Sequence, residues 1–168
     1  QAFITGAPAT THVNVVTACG ADDEQNSRCD DDDATVSFTW RGRTPGYWKN
    51  HTEPGFWPTF TITNHLGTTV APTKATPVVQ VFSVPASWLK NGVLDLNGDR
   101  KADTLLDALG YQGGSSLTGS GQILLRAATA ALLNEAAFGS DFPPYATTGA
   151  LITAVNGVLD DPEGTKAQ

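Results

Sequence analysis

Methionine is absent from this chain of 168 residues, and cysteine occurs only twice. A translated product needs an initiator, so a chain without Met that starts at Gln1 reads as a processed chain, after removal of a signal peptide. Charge is also scarce: Asp, Glu, Lys and Arg together make up 16% of the residues, against 40% hydrophobic ones. A surface with so few charges must rely on Thr, Ser, Asn and Gly, a composition that suits an extracellular, β-rich protein. The ten Lys and Arg are scattered and form no stripe, and the net charge is -7. Both features exclude nucleic acid as the expected partner. No apolar run approaches the 18 or so residues of a spanning helix, so no membrane span is expected. Catalytic patterns are missing too. There is no G-x-S-x-G elbow. His51-Thr52-Glu53 lacks the PCxxC partner of zinc deaminases. His12, His51 and His65 have no metal-binding spacing, and no enzymatic activity is expected.

What the chain does have is an oxygen-rich run, Asp95-Leu96-Asn97-Gly98-Asp99-Arg100-Lys101-Ala102-Asp103. Oxygen-bearing side chains fall at its positions 1, 3, 5 and 9. Calcium takes six to eight oxygens at roughly 2.3–2.6 Å, and a tight loop with an acid at every second position can turn them toward one point. Asp95, Asn97, Asp99 and Asp103 are therefore the expected calcium ligands, with the Lys101 backbone carbonyl as a further one and Gly98 allowing the turn. The twelve-residue EF-hand version fits worse, because its last position is Leu106 and not Glu. Asp107, one place later, is within reach as an additional ligand. The alternative is a solvated Asp/Asn/Gly turn. The run resembles the D-x-[DN]-x-D-G-x-x-D calcium loops of secreted proteins, such as integrin-type β-propellers and thrombospondin repeats. Those loops prefer Gly at position 6, where this chain has Arg100, so a positive φ there would be strained.

A second acidic cluster lies between the cysteines and beyond them. Seven acids crowd into residues 22–33: Asp22, Asp23, Glu24 and Asp30 to Asp33. Like charges at this density stay solvated unless a cation neutralises them. Either a solvated acidic loop or a second calcium site built from Asp22, Asp23, Asp30, Asp31, Asp32 and Asp33 accounts for them. In a secreted chain the two cysteines read as one disulfide, Cys19–Cys29, which would hold the two halves of this cluster together. A reduced, buried pair is the alternative. Such a short loop is worth about 2–3 kcal/mol.

The expected architecture is α+β: an antiparallel β-sheet or sandwich followed by a small C-terminal helical cluster. Residues 1–17 form an N-terminal arm whose strand, Thr11 to Thr17, is a candidate donor strand for a neighbouring subunit, or else pairs within its own sheet. Residues 18–168 form a single domain, β-rich over 18–94, with the calcium loop at 95–103 and helices over 104–160. Ala34 to Arg41 alternates cleanly as a strand. Thr59 to Thr63 and Pro77 to Val84 read as further strands. Helices are expected over Asp103 to Leu109, with Asp103 as N-cap, over Gln122 to Phe138, and over Thr148 to Leu159.

Arg43-Thr44-Pro45-Gly46-Tyr47-Trp48-Lys49-Asn50-His51, followed by Trp57-Pro58, resembles a motif of secreted, largely uncharacterised bacterial proteins. Their second signature, A-x-x-L-N-x-A, is similar to Ala130-Ala131-Leu132-Leu133-Asn134-Glu135-Ala136. The resemblance implies an extracellular location and fold kinship. Tyr47, Trp48 and Trp57 either pack over the sheet or serve as aromatics that stack on glycans. Taken together, these features predict an extracellular, secreted or cell-surface structural protein, a calcium-stabilised subunit of a filament, pilus-like fibre or matrix that assembles with copies of itself through its N-terminal strand. A carbohydrate-binding or adhesion module is the alternative.

Overall fold

The computed structural model describes residues 11–21, 27–37, 42–139, 142 and 147–160. The chain divides into two compact units, Gln1–Arg41 and Gly42–Gln168. The division falls at residue 41, and not at residue 17 as expected from the sequence.

The first unit is a β-hairpin. Strand β1 (Thr11–Ala21) pairs antiparallel with β2 (Ser27–Ser37), from Thr11 opposite Ser37 to Ala21 opposite Ser27. Thr and Val dominate β1 and suit a pleated strand. The N-terminal strand thus pairs within its own chain, and it runs four residues further than its alternation suggested. The second strand starts seven residues earlier than expected and carries Asp30 to Asp33 inside it. The acid run is therefore strand, not loop. Cys19 stands directly opposite Cys29, and the two are disulfide-bonded. Phe38 to Arg41, the end of the predicted second strand, lie outside the described residues.

The second unit is mixed α+β and mainly helical. It contains helices α1 (Pro45–Asn50), α2 (Leu105–Ala108), α3 (Leu117–Phe138) and α4 (Thr148–Leu159). Its strands are short antiparallel pairs: β3 (Ile62–Thr63) with β4 (Thr69–Val70), and β5 (Leu89–Lys90) with β6 (Val93–Leu94). No sandwich forms among the described residues. The predicted strand Pro77 to Val84 is a 3-10 turn at Val78–Gln80 followed by buried Val81 and Phe82. A short Val-rich run between two prolines is apolar on all sides, and periodicity alone does not separate a strand from a buried turn. Here the Val78 N–H donates to the Asp103 carbonyl (2.9 Å), which commits it to the loop ahead of α2.

Helix α3 is the centre of the unit. Ser116 caps it by accepting the Gly119 N–H, so it begins five residues before the expected start, inside a stretch that reads as a Gly/Ser linker. Gly121 is needed there: a Cβ at that position would overlap the Trp88 ring. The main core joins Leu125, Ala128 and Leu132 of α3 to Leu151, Ile152 and Val155 of α4. Val78, Val81, Phe82, Leu94 and Leu105 complete it from the intervening chain. Helix α4 has the limits its apolar spacing predicts, with Thr147 as N-cap.

Candidate metal centre

The loop is launched by a tight hairpin. Asn91 and Gly92 both have positive φ, 52° and 79°, and connect β5 to β6. Asn-Gly is the pair that a two-residue turn of this kind favours, because both positions are left-handed. The chain then leaves β6 into Asp95 and returns at Asp103, whose N–H donates to the Leu94 carbonyl (2.8 Å).

Inside the loop the predicted ligands organise the backbone. Asp95 Oδ1 accepts the Gly98 N–H (2.8 Å), Asn97 Oδ1 accepts the Asp99 N–H (2.8 Å), and Asp99 Oδ1 accepts the Lys101 N–H (2.9 Å). These turns are the local hydrogen bonds that Asp and Asn make to their own backbone two or three residues on. Gly98 and Arg100 take positive φ, 82° and 68°. The turn that needs glycine in the resembled loops is thus made here by an arginine, at a conformational cost of about 1–2 kcal/mol. Carboxylate oxygens of Asp95, Asp99 and Asp103 lie within 4.8 Å of one another.

Asp103 differs from its partners in burial, being 1% exposed. Its Oδ2 accepts the Leu96 N–H (2.5 Å) and the Tyr111 hydroxyl (2.7 Å). Its Oδ1 is buried and has no hydrogen-bond partner. Burial pushes its carboxyl above the usual range; the Tyr111 and Leu96 donors pull it back, and Asp107 and Asp95 push it further up. Burial, with the Asp103 carboxylate against it, raises the Tyr111 phenol in turn, so Tyr111 remains a donor. A buried carboxylate with an unsatisfied oxygen costs free energy unless a cation or donor meets it. Two neighbouring carboxylates at this distance supply the geometry for a hard cation and worsen matters without one.

Asp107 does not join the cluster. Its Oδ2 accepts the Thr104 N–H (2.9 Å) and the Thr104 hydroxyl (2.7 Å), in a capping box at the start of α2. The N-cap is accordingly Thr104 and not Asp103, because Asp103 is committed to closing the loop. Of the second proposed metal set, Asp22 and Asp23 lie outside the described residues. Asp30 to Asp33 are consecutive in strand β2.

Thr44 Oγ1 caps α1 by accepting the Tyr47 N–H, with Pro45 in the first turn. Trp48 is 3% exposed, which removes it from contact with any glycan. Its indole N–H donates to Asn134 Oδ1 (3.0 Å). The same oxygen accepts the Arg43 N–H (2.7 Å), and Asn134 Nδ2 donates to the Arg43 carbonyl (2.9 Å). The two sequence signatures are therefore one structural unit, joined through Asn134. Half-buried Trp57 donates its indole N–H to the Trp48 carbonyl (3.1 Å). Half-buried Tyr47 stacks on His51 (4.1 Å between centroids) beneath the Arg43 guanidinium. These aromatics pack against α3 and each other, not over a sheet.

Sequence reasoning missed Tyr111 and the Asn91-Gly92 turn. The turn was legible as a dipeptide between two short apolar runs. Tyr111 was not, since only the position of α2 brings a residue eight places on back to Asp103.

The second unit is thus mixed α+β, and its Asp95, Asp99 and Asp103 carboxylates form a group that could hold a metal ion. Comparison of the chain with protein-family models, with characterised proteins and with solved structures finds no match.

Proposed function

We propose that this chain is an extracellular structural protein, a calcium-stabilised subunit that assembles with copies of itself into a filament, pilus-like fibre or matrix. The observation that carries the reading is Asp103: a buried carboxylate with one unpartnered oxygen, beside Asp95 and Asp99. Calcium at this point would be held by Asp95, Asn97, Asp99 and Asp103, with the Lys101 carbonyl completing the oxygen set. Its effect would be architectural. Asp103 ties Leu94, Leu96, Val78 and Tyr111 together through its backbone and carboxylate. Neutralising it would fix the passage from β6 into α2 and so the seat of the helical core. Calcium is plentiful outside cells, and an unregulated staple suits that medium better than a sensor, which needs a switching helix pair. The assembly reading is supported by the hairpin, a two-stranded sheet that no third strand joins among the described residues.

Negative-stain microscopy of the purified chain, with calcium and with chelator, tests the reading. Ordered polymers that weaken or dissolve under chelation are expected. A chain that stays monomeric in every condition would refute the assembly role, and polymers indifferent to chelator would refute the calcium role.

A further inference from the structure

The two oxygens of the Asp103 carboxylate are not equivalent. Oδ2 accepts two donors, the Leu96 N–H (2.5 Å) and the Tyr111 hydroxyl (2.7 Å). Oδ1 is buried and has no hydrogen-bond partner among the described residues. Turning the carboxylate over would exchange the two oxygens, and it would break both bonds at once. Each donor is itself held from the helical body. The Leu96 carbonyl accepts a Gln122 Nε2 hydrogen (2.8 Å), and Gln122 Oε1 accepts the Gly113 N–H (3.1 Å). The Tyr111 ring is 3% exposed and packs in the main core, and its carbonyl accepts an Arg126 Nη1 hydrogen (2.8 Å). Gln122 and Arg126 stand one turn apart on α3. The same helix therefore steadies both groups that grip Oδ2.

We infer that Tyr111 and Gln122 are positioning residues of the metal loop. Tyr111 by its direct bond, and Gln122 through the Leu96 peptide, present Oδ1 as the one Asp103 oxygen that meets the ion. This rests on the calcium reading above and names the residues outside the loop on which the ion depends. Partners that orient a metal ligand are worth about 10–100-fold in metal affinity. The competing role is purely structural: a buried phenol needs an acceptor, and Oδ2 supplies one. The two roles differ in what calcium feels. A structural bond contributes equally with and without the ion and leaves the affinity unchanged. A positioning bond lowers the affinity when it is lost. The ion also acts back on the phenol. Calcium on Oδ1 draws charge from Oδ2, which weakens the acceptor of the Tyr111 hydroxyl and shifts the absorption of that ring.

Calorimetric titration of the full chain with calcium tests this on the wild type, Tyr111→Phe and Gln122→Met, with the melting of each followed in chelator. Tyr111→Phe keeps the ring and removes the donor. Gln122→Met keeps the length of the side chain and removes its bonds to Leu96 and Gly113. The expected result is a Kd about 10–100-fold weaker for Tyr111→Phe and a smaller loss for Gln122→Met, with cooperative melting in chelator for both. Near-ultraviolet difference absorption gives a second readout. Calcium should produce a tyrosine band in the wild type and in Gln122→Met, and none in Tyr111→Phe. Variants that bind calcium as tightly as the wild type overturn the inference and leave the calcium reading standing. Should Tyr111→Phe fail to fold in chelator, the other two proteins decide. An unchanged Kd in Gln122→Met, or a wild type whose tyrosine absorption ignores bound calcium, overturns the inference. A wild type that takes up no calcium overturns the calcium reading and this inference with it.

Discussion

Calcium should stabilise this protein, and the size of the effect can be worked out. A ligand that binds only the folded state adds about 2.7 kcal/mol when its free concentration is 100 times its Kd. For a chain of 168 residues a change of 1 kcal/mol moves Tm by about 2–4 °C, so calcium at that excess should raise Tm by about 5–11 °C. The transition should be followed by tryptophan fluorescence, because Trp48 and Trp88 are buried in the helical unit. Asp95→Ala with Asp99→Ala should abolish the shift. Asp103→Asn is the sharper probe. It removes a buried charge whose pKa is raised in the folded state, so in chelator it should melt above the wild type, and calcium should no longer help it. The pH dependence has a fixed sign. A folded pKa raised above 3.8 contributes stability below that value and loses it as the pH rises through the shifted one. In chelator the wild type should therefore lose ground to Asp103→Asn as the pH climbs from about 4 toward neutrality, and the calcium gain should be largest at neutral pH. A chelated Asp103→Asn protein that melts below the wild type at pH 7, or a wild type whose Tm ignores calcium, would refute the reasoning.

Other substitutions probe the frame. Asn134→Ala leaves the buried Trp48 indole and the Arg43 backbone without partners, and should cost about 2–4 kcal/mol in urea denaturation. Gly121→Ala pushes a methyl into Trp88 and should cost about 1–3 kcal/mol, with a change in near-ultraviolet circular dichroism. Burial raises the carboxyl pKa of half-buried Glu135, so its ionised form is disfavoured in the folded state. Glu135→Gln should give a small gain in Tm at neutral pH that closes as the pH falls below 4.5.

The parts of this protein that were legible in its sequence are those whose cause is local. The Asp95–Asp103 spacing and the limits of α4 follow from side chains and backbone within a few residues of each other. Where distant partners decide, the sequence misled. Pro77 to Val84 has strand composition, yet the carbonyl of Asp103 takes its N–H and its valines face a helical core. The glycines at 119 and 121 look like linker, yet Gly121 is where Trp88 lies against α3. Trp48 has the composition of a sugar platform but is buried under Asn134. Asp30 to Asp33 read as loop because four acids in a row have poor strand propensity, and the pairing with a Thr/Val strand outweighs it.

The Asn134 tie also bears on the order in which this molecule can form. Helix α1 has six residues, too few to persist alone in water. Its anchor lies 91 residues further on for Arg43 and 86 for Trp48. The acidic loop, by contrast, closes between Leu96 and Asp103, seven residues apart, and needs little of the chain to be in place. Ends so far apart meet late, because the closure entropy must be met before the contact returns anything. These separations predict that the aromatic motif seats last, with the apolar surfaces of Tyr47, Trp48 and Trp57 open to water until α3 arrives. The early-closing Asp95–Asp103 loop would give the helical unit a fixed point to collapse upon.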